Sequence, residues 1–330
     1  MVLPVQIRLN NRHTTSCYTY KMNNTEAQTN ILLIGSGVIG SVYGAQFASA
    51  SYKVDVLAHS THENKLVSTD IRIRDIVTNC IEQVSVTVVR SSAHSLYELV
   101  IVAVQSNQLP SVFPALRNLK GQPNILFIGN NPEGHKAIPC DLPGTVQLSF
   151  PGISGAIKDG VVEYIHIAQQ PTVLEMTNVP NKISIQDVLT SRHFPVKNVA
   201  TIDGWLAYHA VFISCISIAL IKSNVDSQQL ANDHRLLDLM CRSIEEGFDM
   251  LRSQGYEGLP KNLAILHTPL LRPIAIYYWG SLLRSAKGEL YFGAHVRYAQ
   301  AEVSELAHWV LQQNRSKKGA RHLQDLLGDA

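Results

Sequence analysis

The sequence predicts an α/β protein whose first part alternates strands with helices and whose last part is all helical. Three observations carry this. An apolar run, Ile31–Ile34, ends in the turn Gly35-Ser36-Gly37-Val38-Ile39-Gly40, and a small-and-apolar helical stretch, Val42 to Ala50, follows it. Two continuous apolar runs, LVIVAV at Leu99–Val104 and NILFI at Asn124–Ile128, are of the kind found in parallel strands buried on both faces. From Asp203 onward the pattern is helical. Alternating strands and helices followed by helices alone imply an α/β unit and then a helical one.

The glycine turn carries the first chemistry. Gly35 permits a tight turn, Gly37 lets the backbone approach a pyrophosphate, and Gly40 lets the helix pack close to the strand. The helix then turns unpaired N–H groups and its positive dipole end toward the phosphates. A lone GxGxxG is weak, but this one has its strand before it and its helix after it. Gly35, Ser36, Gly37, Val38, Ile39 and Gly40 are therefore candidate cofactor-binding residues of a Rossmann dinucleotide-binding domain.

Further strands are expected at Lys53–Ala58, Ile71–Arg74, Val84–Val89 and Val146–Phe150. Val161–Ile167 and Thr172–Glu175 read as a hairpin at the sheet edge. In the helical part, His234–Gln254 places Leu236, Leu237, Met240, Ile244, Phe248 and Leu251 at helical spacing and stops at Gly255. Glu289–Gln313 reads as a second long helix. The expected domains are 30–200 (Rossmann, dinucleotide-binding) and 201–316 (helical, for substrate and dimerisation). They are flanked by a disordered extension, 1–29, and a loosely attached tail, 317–330. The extension is polar and irregular, and Met22 is expected to be the true start.

Composition narrows the function. A net charge of +2 with no run of like charges gives no sign of nucleic acid or an acidic membrane surface. The 5 cysteines are odd in number and scattered, which suggests buried thiols in a reducing, cytoplasmic setting. Trp205–Ile221 is apolar but short for a membrane span and carries His209, so a buried helix is expected. His295 and Glu302 share a face without further ligands nearby, so no metal is expected.

The architecture resembles the ketopantoate reductase (2-dehydropantoate 2-reductase) family, with this chain a divergent member. The resemblance rests on GSGVIGSVYG, ELVIVAVQSNQL, IGNNPEG, FPGISGAIKDGVVEYIHIAQQPTVLE and IDGWLAYHA, which together span residues 31 to about 220. It implies hydride transfer from the reduced form of NADP, NADPH, to a small 2-keto acid or related carbonyl. Asn130 matches the family's Asn beside the nicotinamide. Elsewhere the chain departs from the pattern. Gln105 and Ala207 stand where the family has lysines, the second of them catalytic, and Val211 stands where it has a substrate-binding Asn. Glu289 is the survivor of a late Ser/Asp/Glu constellation and so the candidate substrate-binding residue.

With Ala207 in the lysine's place, the nearest proton donor is His209, which can titrate near neutral pH. It lies about 200° around the helix from residue 207, and it equally fits a satisfied core histidine. His209 and Asn130 are the catalytic candidates, and Asn130 is equally good turn chemistry. Gln105 and Gln108 lie beyond a strand's carboxyl end, where open sheets bind ligands; Gln105 is taken as cofactor-binding. A substrate carboxylate would look to Arg272, Arg284 or Arg297. No acid follows the second strand to hold the ribose of NAD, and His59 stands where the resemblance implies an Arg for the 2′-phosphate. NADP is thus the expected cofactor. The alternatives are a catalytically silent NADP-binding protein and an opine-type dehydrogenase. Apolar helices in the second half make a homodimer the expected assembly.

Overall fold

In the computed structural model, which describes residues 29–57, 70–93, 95–178, 182–293, 296–297, 299–314 and 320–328, the apolar runs stand side by side at the centre of a sheet. Met22, His59 and His295, and with them the expectations placed on the extension and on His59, lie outside the described residues. The strands are β1 (Asn30–Ile34), β2 (Lys53–Leu57), β3 (Asp70–Asp75), β4 (Ile81–Ser85), β5 (Thr87–Val89) and β6 (Leu99–Val102), then β7 (Asn124–Ile128), β8 (Thr145–Phe150), β9 (Ile153–Lys158), β10 (Val161–His166), β11 (Thr172–Glu175) and β12 (Val196–Val199). An 8-stranded sheet runs β12-β11-β8-β7-β6-β1-β2-β5, and a 4-stranded sheet runs β4-β3-β10-β9. From β5 to β8 the larger sheet is parallel; β11 joins β8 antiparallel.

Strand alternation divides the apolar runs between two cores. Ile31, Leu33, Leu99, Ile101, Leu126 and Ile128 face helix α1 (Val38–Ser49). Leu32, Ile34, Val100, Val102, Ile125 and Phe127 face the opposite core, with α2 (Leu109–Arg117). Every residue of α1 from Gly40 to Phe47 is buried, because the helix lies between the two sheets. That position explains why it lacks the one-sided pattern of a surface helix.

The expected hairpin of Val161–Ile167 and Thr172–Glu175 is not formed. β10 pairs with β9 and β3 in the smaller sheet, whereas β11 pairs with β8 and β12 in the larger. The chain crosses between sheets at both ends of this segment, and Tyr43 pins the two crossings together. Its phenol pairs with the Thr172 hydroxyl at 2.5 Å and accepts the Gly152 N–H at 3.1 Å.

The helical part comprises α3 (Ile185–Ser191, still within the first unit), then α4 (Ile202–Lys222), α5 (Ser227–Asn232), α6 (His234–Ser253), α7 (Lys261–Leu266), α8 (Arg272–Arg284), α9 (Gln300–Gln313) and α10 (Arg321–Leu327). α4 is long and apolar enough to cross a membrane, but 94% of its most apolar window is buried inside the protein. Asp233 caps α6 by accepting from the Arg235 and Leu236 N–H groups. Two expectations are corrected here. Glu289–Gln313 is not one helix: a π-helical turn, Glu289–Gly293, lies between Gly288 and the start of α9. The segment 317–330 is not a loose tail in its described part, since Leu323, Leu326 and Leu327 of α10 are fully buried. Cys140 is exposed, Cys215 and Cys241 are buried free thiols, and Cys80 is disulfide-bonded, which corrects the reading of five buried thiols.

A polar clamp joins the two parts. His135, in the 3-10 turn Gly134–Ala137, lies 2.8 Å from Asp203 through Nδ1 and 3.3 Å from Glu175 through Nε2. Its backbone N–H also donates to Asp203, in the first turn of α4. Hydrogen bonds donated to Glu175 and then to Asp203 push its pKa up to about 9. A pKa raised on folding adds stability that is complete below about 6.5 and is lost as pH rises through about 9. Urea midpoints should therefore fall between pH 6 and 9.5, and His135→Asn should flatten that fall. Leu326→Ala should cost about 2–5 kcal/mol by urea denaturation, where a change in a loose tail would cost nothing measurable.

Candidate cofactor and substrate cleft

The carboxyl ends of the parallel strands open into a cleft of about 1860 Å³ lined by both parts of the chain. Gly35, Ser36, Gly37, Val38 and Ile39 all line it. Three glycines of this turn do different work. Gly35 has φ +97°, the left-handed region, and lies against the Ala103 carbonyl. A Cβ on Gly40 would strike the Gly35 carbonyl, so this glycine is what lets α1 rest on the turn, and Gly40 itself packs rather than lines. A Cβ on Gly37 would meet nothing within 4 Å, so the space beside it is open to a ligand. Gly37 is also the N-cap of α1, with no side chain capping it and no acid in the first turn. Free N–H groups at the start of a 12-residue helix fit a pyrophosphate.

At the far side of the sheet, Gln105 and Asn130 follow β6 and β7 into the cleft. Both meet Glu302, which reaches across from the first turn of α9. Asn130 Nδ2 donates to Glu302 at 2.8 Å, and Gln105 Nε2 donates to it at 3.5 Å. Glu302 is only 7% exposed. Two amide donors and the positive end of α9 stabilise a carboxylate at that depth. Asn130 keeps a second N–H and its carbonyl oxygen for a ligand. Sequence reasoning gave Glu302 no role beyond a poor metal pair. The available signal was an acid in line with the apolar residues Leu306, Trp309 and Val310 of the same helix, all buried.

His209 lies in the cleft wall, with its ring stacked on Trp205 at 5.2 Å and 4.1 Å from the centroid of Phe150. The face of α4 that lines the cleft is Trp205, His209, Phe212 and Ile213. Ala207 and Val211, on the other side, are fully buried, and a Cβ on Gly247 of α6 would strike Val211. These two departures thus lie where α4 packs on α6, and His209 does not stand in for Ala207 at the same place.

The expected substrate residue Glu289 does not line the cleft; it pairs with Arg297. The three candidate arginines are likewise engaged elsewhere. Arg272 forks onto Glu245, with contacts from 2.6 to 3.1 Å, and Arg284 donates to the Ala231 carbonyl at 3.0 Å. None of the three lines the cleft, so none is placed to receive a carboxylate there. Among the described residues no cluster of His, Cys, Asp and Glu is arranged to hold a metal ion.

On the β2 side, Asp55 is buried mid-strand, accepting from the Tyr97 hydroxyl at 3.1 Å. The end of β5 brings another group. Val89 pairs with Leu57, and the next residue, Arg90, lines the cleft. Arg90 is exposed and has no ion-pair partner among the described residues. The sequence reading passed over it; a cation directly after a short β-branched run was the sign.

Residues 31–178 match the family described as ketopantoate reductase PanE/ApbA. A 2-dehydropantoate 2-reductase of Listeria innocua is 25% identical over 229 residues, 67% of this chain and 75% of that protein. Among solved structures, a PanE/ApbA family ketopantoate reductase from Ralstonia eutropha superposes with TM-score 0.69 at 18% identity, covering 91% of this chain and 96% of its own. D-mandelate dehydrogenase, solved with NADH and anilino(oxo)acetate, gives TM-score 0.69 at 12% identity over the same shares.

The glycine geometry makes a paired prediction. Gly37→Val should abolish NADPH binding by calorimetry while costing about 1 kcal/mol or less in urea. Gly40→Ala should lower the urea midpoint itself, because its Cβ has only backbone to displace.

Proposed function

We propose that the chain is a divergent member of the ketopantoate reductase family, whose model matches residues 31–178, and that it is an NADPH-dependent reductase of a 2-keto acid or related carbonyl. The observation that carries the reading is the continuity of the cleft. It runs from the glycine turn at one end to Asn130, Gln105, Glu302 and His209 at the other. A dinucleotide held at the turn has its second half directed along the strand ends toward those four side chains.

When bound, the nicotinamide supplies the hydride. The chain's own residues do the rest. Glu302 holds the Asn130 and Gln105 amides in fixed orientation. Asn130 presents its remaining N–H to a carbonyl or carboxamide, polarising the former as charge develops on oxygen. His209, on the wall beside Phe150, is the proton donor for the nascent alkoxide. The surrounding rings of Trp205 and Phe212 exclude water from that transfer.

The choice of NADP over NAD does not follow from the fold, since a neighbour of equal similarity carries NADH. It follows from the side chains near β2. Asp55 is committed to Tyr97, and Arg90 offers an unpaired guanidinium suited to a ribose 2′-phosphate. Leu270 and Tyr277 are 87% and 76% exposed, apolar surface suited to a homodimer; a related Staphylococcus aureus ketopantoate reductase is described as dimeric.

NADPH oxidation across a carbonyl panel tests the activity, and binding without turnover would leave a silent NADP-binding protein. His209→Gln should lower kcat with little change in NADPH affinity. Arg90→Ala should weaken NADPH about ten- to hundred-fold and NADH by about twofold or less, the loss of one charge-assisted contact. Equal weakening of both would remove Arg90 from the 2′-phosphate. A native preference for NADH would remove NADP.

A further inference from the structure

The cleft does not end at Asn130 and His209. It continues into the helical part, where Phe212 of α4, Leu263 and Leu266 of α7, Trp279 of α8, and Tyr291 and Phe292 of the π-helical turn form its walls. Phe212 and Phe292 both pack on Trp279, at centroid distances of 5.3 and 6.4 Å. The Trp279 N–H donates to His267 Nε2 at 3.2 Å, so the ring's one polar atom is already used. Burial pushes the His267 pKa down to about 4, and that partner is uncharged at neutral pH.

The charge of this chamber is as informative as its shape. Arg272, Arg284 and Arg297 are bound elsewhere, and Glu302 is the one acidic or basic side chain, histidine aside, that the helical part brings to the cleft among the described residues. The basic side chains in the lining, Arg90 and Lys197, stand beside or on the edge strands β5 and β12, and both are exposed. A compact keto acid entering here would bring a carboxylate toward Glu302, with no guanidinium to receive it. It would also leave most of the aromatic wall wet. The total volume, about 1860 Å³, exceeds the roughly 300–1,000 Å³ of an ordinary ligand pocket and has room for a sizeable second ligand beside a dinucleotide.

We propose that this chamber takes an uncharged carbonyl compound bearing an apolar group of aromatic size, in preference to a compact 2-keto acid. The proposal rests on the reductase reading above for the chemistry and on the chamber itself for the binding. The carbonyl sits at Asn130 and His209, and the apolar group lies among Phe212, Leu266, Trp279 and Phe292.

The test compares four substrates with NADPH: benzylacetone (bulky, uncharged), phenylpyruvate (bulky, charged), ketopantoate and pyruvate (compact, charged). Benzylacetone should exceed both compact acids in kcat/KM by about tenfold or more, the effect of burying a phenyl group. Leu266→Trp, which fills the chamber, should raise KM for benzylacetone about tenfold while NADPH affinity stays unchanged and so reports an intact fold. Preference for ketopantoate or pyruvate overturns the proposal. So does a tenfold preference for phenylpyruvate over benzylacetone that Lys197→Met removes, because the anion would then have its cation. If no carbonyl is reduced, calorimetry on the NADPH complex separates the two ideas. Saturable benzylacetone binding that Leu266→Trp abolishes supports the chamber while the reductase reading fails. No binding overturns the chamber itself.

Discussion

The close approach of Gly40 to the Gly35 carbonyl is the contact on which the rest of the cofactor half depends. Because neither residue has a side chain in the gap, α1 can begin directly on the tip of β1. It then runs between the two sheets with every position from Gly40 to Phe47 buried. A helix covered on all sides cannot shift to adapt, so the direction of its N-terminus is set by packing on both faces. Tyr43, midway along it, ties together the two places where the chain changes sheet, through Thr172 and the Gly152 N–H. One small-residue contact therefore positions the glycine turn and the smaller sheet that packs on α1.

The central strands were legible because burial on both faces leaves a continuous apolar signature, as at Leu99–Val102 and Asn124–Ile128. What sequence periodicity does not encode is the partner of a strand. Val161–His166 and Thr172–Glu175 are both genuine strands separated by a short turn, and they belong to different sheets. The break at Glu289–Gly293 was hidden for a different reason. A π-helical turn keeps helical composition, and only the flanking Gly288 and Gly293 mark it. The last helix was missed because its three buried leucines sit in a short segment beyond a basic stretch, where composition argues for solvent.

In the cleft, residues next to strand ends were readable and residues delivered by tertiary packing were not. Asn130 and Gln105 follow directly from β7 and β6, so strand position located them. Glu302 arrives from α9, 172 positions from Asn130, and nothing local announces where it points. Glu289 looked equally suitable by type but is spent on Arg297. The same limit applies to α4, where an alignment of motifs put weight on Ala207 and Val211. The helix instead turns His209 and Phe212 to the cleft and gives Val211 to Gly247.

The two ends of the cleft are built on opposite electrostatic terms, and this constrains what can bind. Near β5 and β2 the groups on offer are the Arg90 guanidinium, without an ion-pair partner among the described residues, serine hydroxyls and the N–H groups of a helix start, all suited to phosphate. Past Asn130 the lining turns aromatic, and its one carboxylate among the described residues, Glu302, is held there by amides and a helix dipole. An anion is thus favoured at one end and a neutral surface at the other, which gives a dinucleotide, if bound as proposed, one favoured direction along the cleft. On the proposed reading, phosphates held at the turn would bring the redox-active ring to where the lining changes from basic and polar to apolar. Hydride transfer would, on that reading, carry negative charge onto a carbonyl oxygen at that boundary, which Asn130 and His209 both line.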